Sequence, residues 1–206
     1  DDVVVCGAPG ATTSGPSQHG IAAVYMYLGN GAWGSSTELV APDAAAADRF
    51  GFSVATDGVS IIVGAPFDDL QPGQVAGATA KDASGCAYIY RRVGTAWQLD
   101  GQVFAPDPTD DARFGSSVAI DGNRAVIGAP GAKRAYLFRR LAAGNWVVEG
   151  GYSDPDDAAA GGFGYDVSLA VDELGVSDPT DDPSSSHANA GAAYAFKFPA
   201  SGGGAD

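Results

Sequence analysis

The chain contains few basic residues and few of the side chains on which most catalytic and metal sites depend. It has 11 Lys and Arg against 25 Asp and Glu, which gives a net charge of −14, and only 2 His and 2 Cys. Phosphate binding needs clustered Lys and Arg, so this balance argues against a nucleic acid as partner. No apolar run approaches the roughly 18 residues of a membrane helix, which argues against membrane insertion.

The scarce cysteines and histidines lie in no recognisable chemical motif. Cys6 and Cys86 belong to no CxxC or Cys/His cluster, so a zinc site is not expected. Both lie in apolar runs, where a buried small residue is the simpler interpretation and a Cys6–Cys86 disulfide is the alternative in an extracellular protein. His19 and His187 lie in polar loops with no Ser or Cys partner at a recognisable spacing. The sequence therefore predicts a protein that is not an enzyme.

Turn-forming residues are abundant, and they separate the apolar segments of a repeat. The chain has 30 Gly and 12 Pro. Its best-preserved repeat unit is residues 114–130, which reads as two short apolar strands joined at Asp121-Gly122, a pair that favours a tight hairpin. Partial or weaker copies of the same pattern are residues 3–9, 50–66 and 163–179. A repeat of this kind indicates an architecture assembled from similar units.

Three kinds of marker residue recur at the same two separations, which makes the repeat a strong signal. They are Trp33, Trp97 and Trp146; Phe50, Phe114 and Phe163; and Gly64, Gly128 and Ser177. Each unit offers up to four apolar or aromatic runs bounded by Gly, Pro and Asp, a pattern typical of strands. Four antiparallel strands repeated radially form a β-propeller, so the sequence predicts an all-β propeller fold.

The predicted blades do not close a ring by themselves. Residues 48–107 and 112–153 supply four strands each, residues 1–43 lack the first strand, and residues 163–198 lack the fourth, which gives fourteen strands within one propeller region of residues 1–206. Both ends thus offer the same strands rather than complementary ones. The alternatives are an arc of a larger ring and a small ring with two incomplete blades; we expect the arc, whose exposed flanks need further chain or an assembly partner to cover them.

The paired Phe-Gly and Gly-Ala-Pro signals resemble FG-GAP repeats, the blades of the integrin α-subunit head. Residues 50–66 begin with Phe-Gly and end with Gly-Ala-Pro, and so do residues 114–130. The resemblance implies a propeller, usually of seven blades, with an adhesive or scaffolding role at the cell surface rather than chemistry. It implies an extracellular or cell-surface location and a protein or glycan partner. The alternatives are a carbohydrate-binding propeller that uses the once-per-blade Trp residues, or an accessory domain of a secreted hydrolase.

Calcium loops of the integrin type are missing from the places where the resemblance puts them. Such loops join strands one and two of a blade and read D-x-D-x-D-G, because calcium needs several oxygen ligands. Here the corresponding loops, residues 56–59 and 120–123, hold one carboxylate each. Two other loops hold three carboxylates within five residues and are candidates for calcium, with solvated turn residues as the simpler interpretation. Their carboxylates are Asp107, Asp110, Asp111, Asp178, Asp181 and Asp182.

The strand order of a four-strand blade sorts the connections onto two faces of the disc. Loops between strands two and three and junctions between blades share one face, here called the loop face, and the remaining hairpins share the other, the hairpin face. The long loops 67–85 and 177–190 fall on the loop face, where we expect a partner to bind. Further acidic residues expected there are Asp68, Asp69, Asp154, Asp156 and Asp157. Basic residues expected at the hairpin face are Arg91, Arg92, Arg139 and Arg140. Basic residues that dilute the charge of the loop face are Arg49, Arg113, Lys133 and Arg134.

Overall fold

The fold is all-β, which confirms the sequence prediction. The computed structural model describes residues 2–12, 16–155, 161–181 and 190–198. In these residues 15 strands form four antiparallel sheets, here called blades 1 to 4 in chain order. The single helical element among them is a short 3-10 turn, Pro130–Ala132. Runs of β-branched, aromatic and small residues between Gly and Pro turns account for this strand content.

Within each blade the chain runs back and forth, so that successive strands pair antiparallel. The strands of blade 1 are β1 (Val3–Ala8), β2 (Ile21–Gly29), β3 (Ala32–Trp33) and β4 (Thr37–Leu39). Those of blade 2 are β5 (Ser53–Thr56), β6 (Ser60–Ala65), β7 (Cys86–Val93) and β8 (Ala96–Val103). Those of blade 3 are β9 (Ser117–Asp121), β10 (Arg124–Ala129), β11 (Arg134–Arg140) and β12 (Trp146–Ser153). The described strands of blade 4 are β13 (Asp166–Ala170), β14 (Glu173–Asp178) and β15 (Ala192–Lys197).

Blade 1 contains one strand more than the sequence predicts. Its outer strand is divided into β3 and β4, which both pair with β2: Trp33 lies opposite Tyr27, and Leu39 lies opposite Ala22. Residues 34–36, Gly-Ser-Ser, separate the two pieces. Glycine is depleted in strands, and three small residues offer little surface to pack, which explains the break. Among the described residues, blades 2, 3 and 4 have the predicted four, four and three strands.

Aspartate shapes the hairpin between the first two strands of blade 2. Asp57 Oδ1 accepts hydrogen bonds from the backbone N–H groups of Val59 and Ser60, at 2.9 and 2.6 Å. Asp57 Oδ2 accepts a third from the N–H of Gly122, in the matching hairpin of blade 3, at 3.0 Å. Gly122 has a φ of 60°, the left-handed conformation that a tight Asp-Gly hairpin needs. The carboxylate at this position therefore stabilises its own turn and joins two blades.

The Phe of each Phe-Gly motif is fully buried against the third strand of its own blade. The ring pairs are Phe50–Tyr88, Phe114–Tyr136 and Phe163–Tyr194, with centroids 5.3, 5.8 and 5.6 Å apart. This aromatic layer packs on the aliphatic face of the preceding blade, for example on Ala22 and Val24 of blade 1. Fully burying a side chain of this size contributes about 1.5–3 kcal/mol, so each interface between blades carries its own part of the core.

The two glycines of the repeated pattern meet across the boundary between blades. A Cβ atom on Gly64, in the Gly-Ala-Pro segment of blade 2, would lie 2.0 Å from the backbone oxygen of Gly115 in blade 3. The other such pairs are Gly7 with Gly51 at 2.0 Å and Gly128 with Gly164 at 2.1 Å. No side chain fits at these distances, so only glycine lets the backbones of successive blades touch.

Blade 4 carries a side chain where blades 1 to 3 carry this glycine. The residue is Ser177, whose Oγ accepts a hydrogen bond from the Asp166 N–H of its own blade at 3.0 Å. Among the described residues no further blade packs on this side of blade 4. Blade 4, the weaker copy of the repeat, thus departs from the pattern at Ser177, the position where a glycine of the other blades contacts the next blade.

Strand β1 is more exposed than its counterparts in blades 2 and 3. Every residue of β6 and β10 is buried, because blades pack on both faces of these strands. In β1, by contrast, Val4 and Cys6 are exposed. In the described part of the chain, β1 pairs with β2 alone. One flank of the array is therefore a partly apolar sheet face.

Both cysteines are free thiols in the structure, so the Cys6–Cys86 disulfide is not formed. Cys6 lies on the exposed face of β1, whereas Cys86 begins β7 in the core of blade 2. Cys86 Sγ donates a hydrogen bond to Asp68 Oδ2 at 2.8 Å. Burial, and then the neighbouring Asp68 carboxylate, raises the pKa of this thiol well above its ordinary value. The interpretation as a buried small residue therefore holds for Cys86 and is wrong for Cys6, which no described blade covers.

We expect Gly64→Ala to lower the free energy of unfolding by about 3 kcal/mol, since the new methyl group would overlap the Gly115 carbonyl and push two blades apart. Gly10→Ala is the matched control, because a Cβ atom at Gly10 meets no atom within 4 Å. Urea denaturation followed by tryptophan fluorescence measures both variants. Equal stability of the two variants would contradict the contact between the glycine motifs.

A thiol reagent should modify one cysteine per native chain and two per denatured chain, without prior reduction, because only Cys6 is exposed. Ellman's reagent gives the count in each state. In Cys6→Ser, the native chain should give no reaction and the denatured chain one thiol, which assigns the reactive residue. Absence of free thiol in denatured, unreduced protein would show that the disulfide forms after all.

Candidate functional site

A long loop of blade 2, residues 66–85, covers part of the loop face. Leu70 anchors it: the side chain is buried, and the Leu70 backbone exchanges two hydrogen bonds with Lys81, at 2.9 and 3.1 Å. The far end of the loop is tied to the next blade, because the Ser84 carbonyl accepts a hydrogen bond from the Phe114 N–H at 2.9 Å. The loop therefore has a defined shape set by its own backbone and by blade 3.

This loop forms a small acidic cleft with the junction that leads from blade 1 into blade 2. The cleft has a volume of about 160 Å³. Its polar lining consists of Asp43, Asp48, Asp68, Asp69, Gln71 and Gln74. Sequence reasoning selected Asp68 and Asp69 but not Asp43 and Asp48. The available signal was the Ala-Pro-Asp segment that follows the fourth strand, which ends in Asp43 and recurs at Asp107.

Tyr88 connects the walls of the cleft. Its hydroxyl donates to Asp43 Oδ1 at 2.6 Å and lies 2.9 Å from Asp68 Oδ2. Gln102 Nε2 donates to Asp43 Oδ2 and to the Tyr88 hydroxyl oxygen, both at 3.0 Å. Burial, followed by the neighbouring Cys86 and Asp68, raises the pKa of Tyr88 above its ordinary value, so the phenol remains a hydrogen-bond donor. The network gives both Asp43 oxygens partners within the protein.

Two aspartates of the cleft have raised pKa values. Asp48 is only 5% exposed, and its burial raises its pKa from 3.8 to about 6, although Ala45 N–H donates to its Oδ2 at 2.5 Å. Burial also raises the pKa of Asp68, against the hydrogen bonds from Cys86 and Tyr88. When Asp48 or Asp68 takes up a proton, it loses its negative charge, and the repulsion among the acids of the cleft falls.

Contacts between a third-strand tyrosine and an aspartate recur in blades 3 and 4. Tyr136 donates to Asp107 Oδ1 at 2.5 Å, and Tyr194 donates to Asp181 Oδ2 at 2.5 Å. In blades 2, 3 and 4 alike, the tyrosine is the third residue of the third strand. A phenol removed from water needs an acceptor, which Asp107 supplies from the junction before blade 3 and Asp181 from the loop between β14 and β15. These acids therefore have an architectural role.

The first group of candidate calcium ligands is engaged by basic residues of the protein. Asp107 Oδ2 lies 3.6 Å from Arg134 Nε, and Asp110 Oδ2 lies 3.5 Å from Lys81 Nζ. Asp111 is exposed. A metal ion that used all three carboxylates would have to displace both basic side chains.

The second group is more deeply buried. Asp178 Oδ1 accepts hydrogen bonds from the N–H groups of Gly162 and Thr180, at 2.8 and 3.0 Å. Asp178 Oδ2 and Asp181 Oδ1 are buried, and among the described residues neither has a hydrogen-bond partner. Asp182 lies outside the described residues. Where the structure describes the chain, no three Asp, Glu, His or Cys side chains are grouped so as to hold a metal ion, and calcium binding stays a prediction.

The other acidic residues predicted for the loop face divide between two places. Asp69 Oδ1 accepts a hydrogen bond from the Ala83 N–H at 2.8 Å, within the long loop of blade 2. Asp154 follows β12 and belongs to the junction between blades 3 and 4. Asp156 and Asp157 lie outside the described residues. The predicted acidic surface is therefore not one cluster, and the cleft of blade 2 is its best-defined part.

Arginines of blades 2 and 3 meet at the hairpin face. Arg91, Arg139 and Arg140 line a groove of about 600 Å³ together with Asp57 and Asp121 from the hairpins between strands one and two. Arg92 lies beside the same hairpins, and its Nε donates to the Gly94 carbonyl at 3.2 Å. The face thus combines basic side chains with carboxylates rather than presenting basic residues alone.

Ion pairs further neutralise the arginines of the hairpin face. They are Arg140–Asp100 at 2.6 Å, Arg124–Glu149 at 2.8 Å and Arg139–Glu149 at 3.7 Å. The hydrogen bonds from Arg140 hold the pKa of Asp100 below its ordinary value, and those from Arg124 do the same for Glu149. Sequence reasoning missed Asp100, because it reaches Arg140 from the neighbouring blade.

The repeated tryptophans are mainly packing residues. Trp97 packs against the core between blades 1 and 2, and Trp146 packs against the core between blades 2 and 3. Trp146 Nε1 also donates to Asp100 Oδ2 at 2.9 Å. Trp33 differs, because it is 47% exposed and its ring lies 5.3 Å from that of Tyr27. A sugar that stacked on these tryptophans would find Trp33 the most accessible.

His19 is a buried structural residue rather than a candidate base. It is 1% exposed, and its Nδ1 lies 2.7 Å from the Pro16 carbonyl oxygen. His187 lies outside the described residues.

The raised pKa of Asp48 makes stability depend on pH. Because its folded pKa of about 6 exceeds the ordinary 3.8, its protonated form favours folding, and that contribution is lost as the pH rises through about 6. We expect Asp48→Asn, which keeps an acceptor for the Ala45 N–H, to raise the free energy of unfolding at neutral pH by about 1 kcal/mol and to change it little near pH 4. Urea titrations at both pH values test this. The exposed Asp121 provides the control Asp121→Asn, and equal effects of the two substitutions on the pH dependence would contradict the assignment.

Comparison with protein families matches the FG-GAP repeat over residues 33–90 and 97–138, which include most of blades 2 and 3. No curated protein matches the chain. FG-GAP repeats are found in adhesion-like extracellular proteins. The described residues contain no helix with the length and apolar character to span a bilayer. This match agrees with the repeated Phe-Gly and Gly-Ala-Pro motifs and with the four-stranded blades that they join. The chain therefore belongs to the FG-GAP repeat family.

Proposed function

We propose that this chain is a non-catalytic extracellular module that binds a protein partner through its loop face, as part of an adhesive or scaffolding assembly at the cell surface. The occurrence of FG-GAP repeats in adhesion-like extracellular proteins supports the location and the broad role. The observation that carries the proposal is the long loop 66–85, which has a defined shape and presents polar residues to solvent.

A loop that is already held in one conformation loses little entropy when a partner binds. The buried Leu70 and its paired backbone hold the base of the loop, whereas Asp69, Gln71 and Pro72 are exposed. The acidic cleft lies directly beside this exposed segment. A partner with basic residues around its contact surface would complement this charge, which speeds association and selects among partners.

A non-catalytic role fits the chemistry of the cleft. Of its four perturbed groups, Asp68, Cys86 and Tyr88 form hydrogen bonds with one another, and Asp48 is buried and accepts a hydrogen bond from the Ala45 N–H; the Cys86 thiol is buried as well. Raised pKa values keep the thiol and the phenol protonated at neutral pH, so neither is an activated nucleophile. The perturbed pKa values are thus explained by burial within a structural network.

Site-specific photocrosslinking tests the docking face. A benzophenone amino acid replaces Gln71 or Thr109 on the loop face, or Thr95 on the hairpin face, all of which are exposed. The labelled protein is irradiated on the surface of the cells that produce it, and adducts are identified by mass spectrometry. We expect one and the same protein to be captured from Gln71 and Thr109, with yields at least about fivefold above those from Thr95, and to be lost at high salt.

The position of Thr95 makes this a matched comparison, because the three variants share one chemistry and differ only in face. Capture with equal yield from Thr95 would contradict docking through the loop face. Capture of glycan alone from Gln71 and Thr109 would contradict a protein partner and favour the carbohydrate-binding alternative.

A further inference from the structure

The loop face also contains a groove at the inner ends of β5, β9 and β13. Its volume is about 880 Å³, several times that of the acidic cleft. Phe52, Phe67 and Tyr165 line it, and Phe52 and Tyr165 are 45% and 62% exposed. The rings of Phe52 and Phe67 meet edge to face with centroids 6.1 Å apart. Exposed aromatic rings that line a concave surface are typical of a binding site.

Two arginines lie against this aromatic wall. The guanidinium carbons of Arg49 and Arg113 are 4.6 and 5.6 Å from the centroid of the Phe67 ring. In the described part of the chain, neither arginine forms an ion pair with a carboxylate. A guanidinium group on an aromatic face keeps its edge N–H donors available to a ligand. Arg113 lines the groove and Arg49 lies on the same ring beside it, so the aromatic wall carries two positive charges.

Both arginines occupy the same place in the repeat, directly before Phe-Gly. Each has a φ of 56°, a left-handed conformation that is unfavourable for a residue with a side chain. The third unit has Gly162 at this place, and its φ lies outside the left-handed region. Two units therefore hold arginine in a left-handed conformation that the third unit does not adopt, and both guanidinium groups lie against Phe67.

We propose that this groove binds an acidic peptide segment of the protein partner. One Glu or Asp carboxylate of that segment accepts hydrogen bonds from Arg49 and Arg113, and a neighbouring apolar side chain packs on Phe52, Phe67 and Tyr165. Charge-assisted hydrogen bonds from arginine to a carboxylate are among the strongest that a surface offers. The inference rests on the proposed docking of a protein on the loop face, and it names the chemistry of that contact.

The surroundings of the groove favour a peptide over an acidic polysaccharide. Asp111 and Asp166 line the same groove, and Asp166 Oδ1 accepts a hydrogen bond from the Ser117 hydroxyl at 2.7 Å. These carboxylates would repel a polymer with a negative charge on every sugar. A single carboxylate flanked by apolar residues meets the two arginines and the aromatic wall and brings only one negative charge near Asp111 and Asp166.

The test uses an array of acetylated pentapeptides with a central Glu and every pair of flanking residues, beside the same array with a central Gln. Titration calorimetry then gives the Kd of the strongest Glu peptide for the full chain. We expect the matched Gln peptide to bind at least about tenfold more weakly, and Arg113→Gln and Arg49→Gln each to weaken binding of the Glu peptide by about tenfold.

Arg91→Gln is the matched control, because it removes the same charge from the hairpin face. It should change the Kd less than about twofold, and tetragalacturonate, an acidic oligosaccharide, should bind more weakly than the Glu peptide. Four results would each overturn the inference: no Glu peptide binds, the Gln peptide binds equally well, the Arg49 and Arg113 variants have no effect, or tetragalacturonate binds more tightly.

The two proposals fail in different ways. If Gln71 captures a protein and Arg113→Gln leaves both that capture and the peptide affinity unchanged, the groove inference is wrong while docking on the loop face stands. If the Glu peptides bind with the expected dependence on both arginines but Gln71 and Thr109 capture no protein, docking on the loop face is wrong while the groove remains a peptide site.

Discussion

Contact between the backbones of successive blades is the constraint on which the rest of this structure depends. Gly64 has no side chain, so the Gly115 carbonyl can approach it, and that distance sets how deeply Phe114 enters the boundary between blades. At a larger separation the aromatic layer of one blade would leave a gap against the aliphatic face of the one before, and packing of that kind loses contacts steeply with distance. The Phe-Gly and Gly-Ala-Pro motifs are therefore two halves of one packing contact, not sites of chemistry.

The same close packing determines how the acidic residues of the loop face are used. Third-strand tyrosines are drawn into the boundaries between blades, where their hydroxyls need acceptors, and Asp43, Asp107 and Asp181 provide them. Part of the negative charge of the chain is thus required by the fold. Placing carboxylates close together has an energetic cost, which appears at Asp48: its burial, together with nearby carboxylates, raises its pKa.

The features specific to this protein lie where its sequence departs from the repeat. The loop 66–85 has no equivalent between β10 and β11, which are joined by one short turn. Arg49 and Arg113 lie directly before the Phe-Gly motifs, yet their side chains lie against the exposed Phe67 ring rather than in the core. A repeat that fixes its backbone by glycine contacts can vary the residues around those contacts at little cost to the fold. Recognition can therefore differ between members of such a fold while the blades stay alike.

The sequence by itself determined the strands, the hairpins, the repeat and the sorting of loops onto two faces, because each of these follows from interactions over a few residues or from strand order. It could not show which side chains that are distant in the chain meet between blades and loops. The contacts decided in that way are Arg49 and Arg113 at Phe67, Asp48 beside Asp68, Asp100 at Arg140, and the separate environments of Cys6 and Cys86. Asp48 and Arg49 meet residues of the long loop of their own blade, and the other partners come from a neighbouring blade, so only the packed structure brings them within reach.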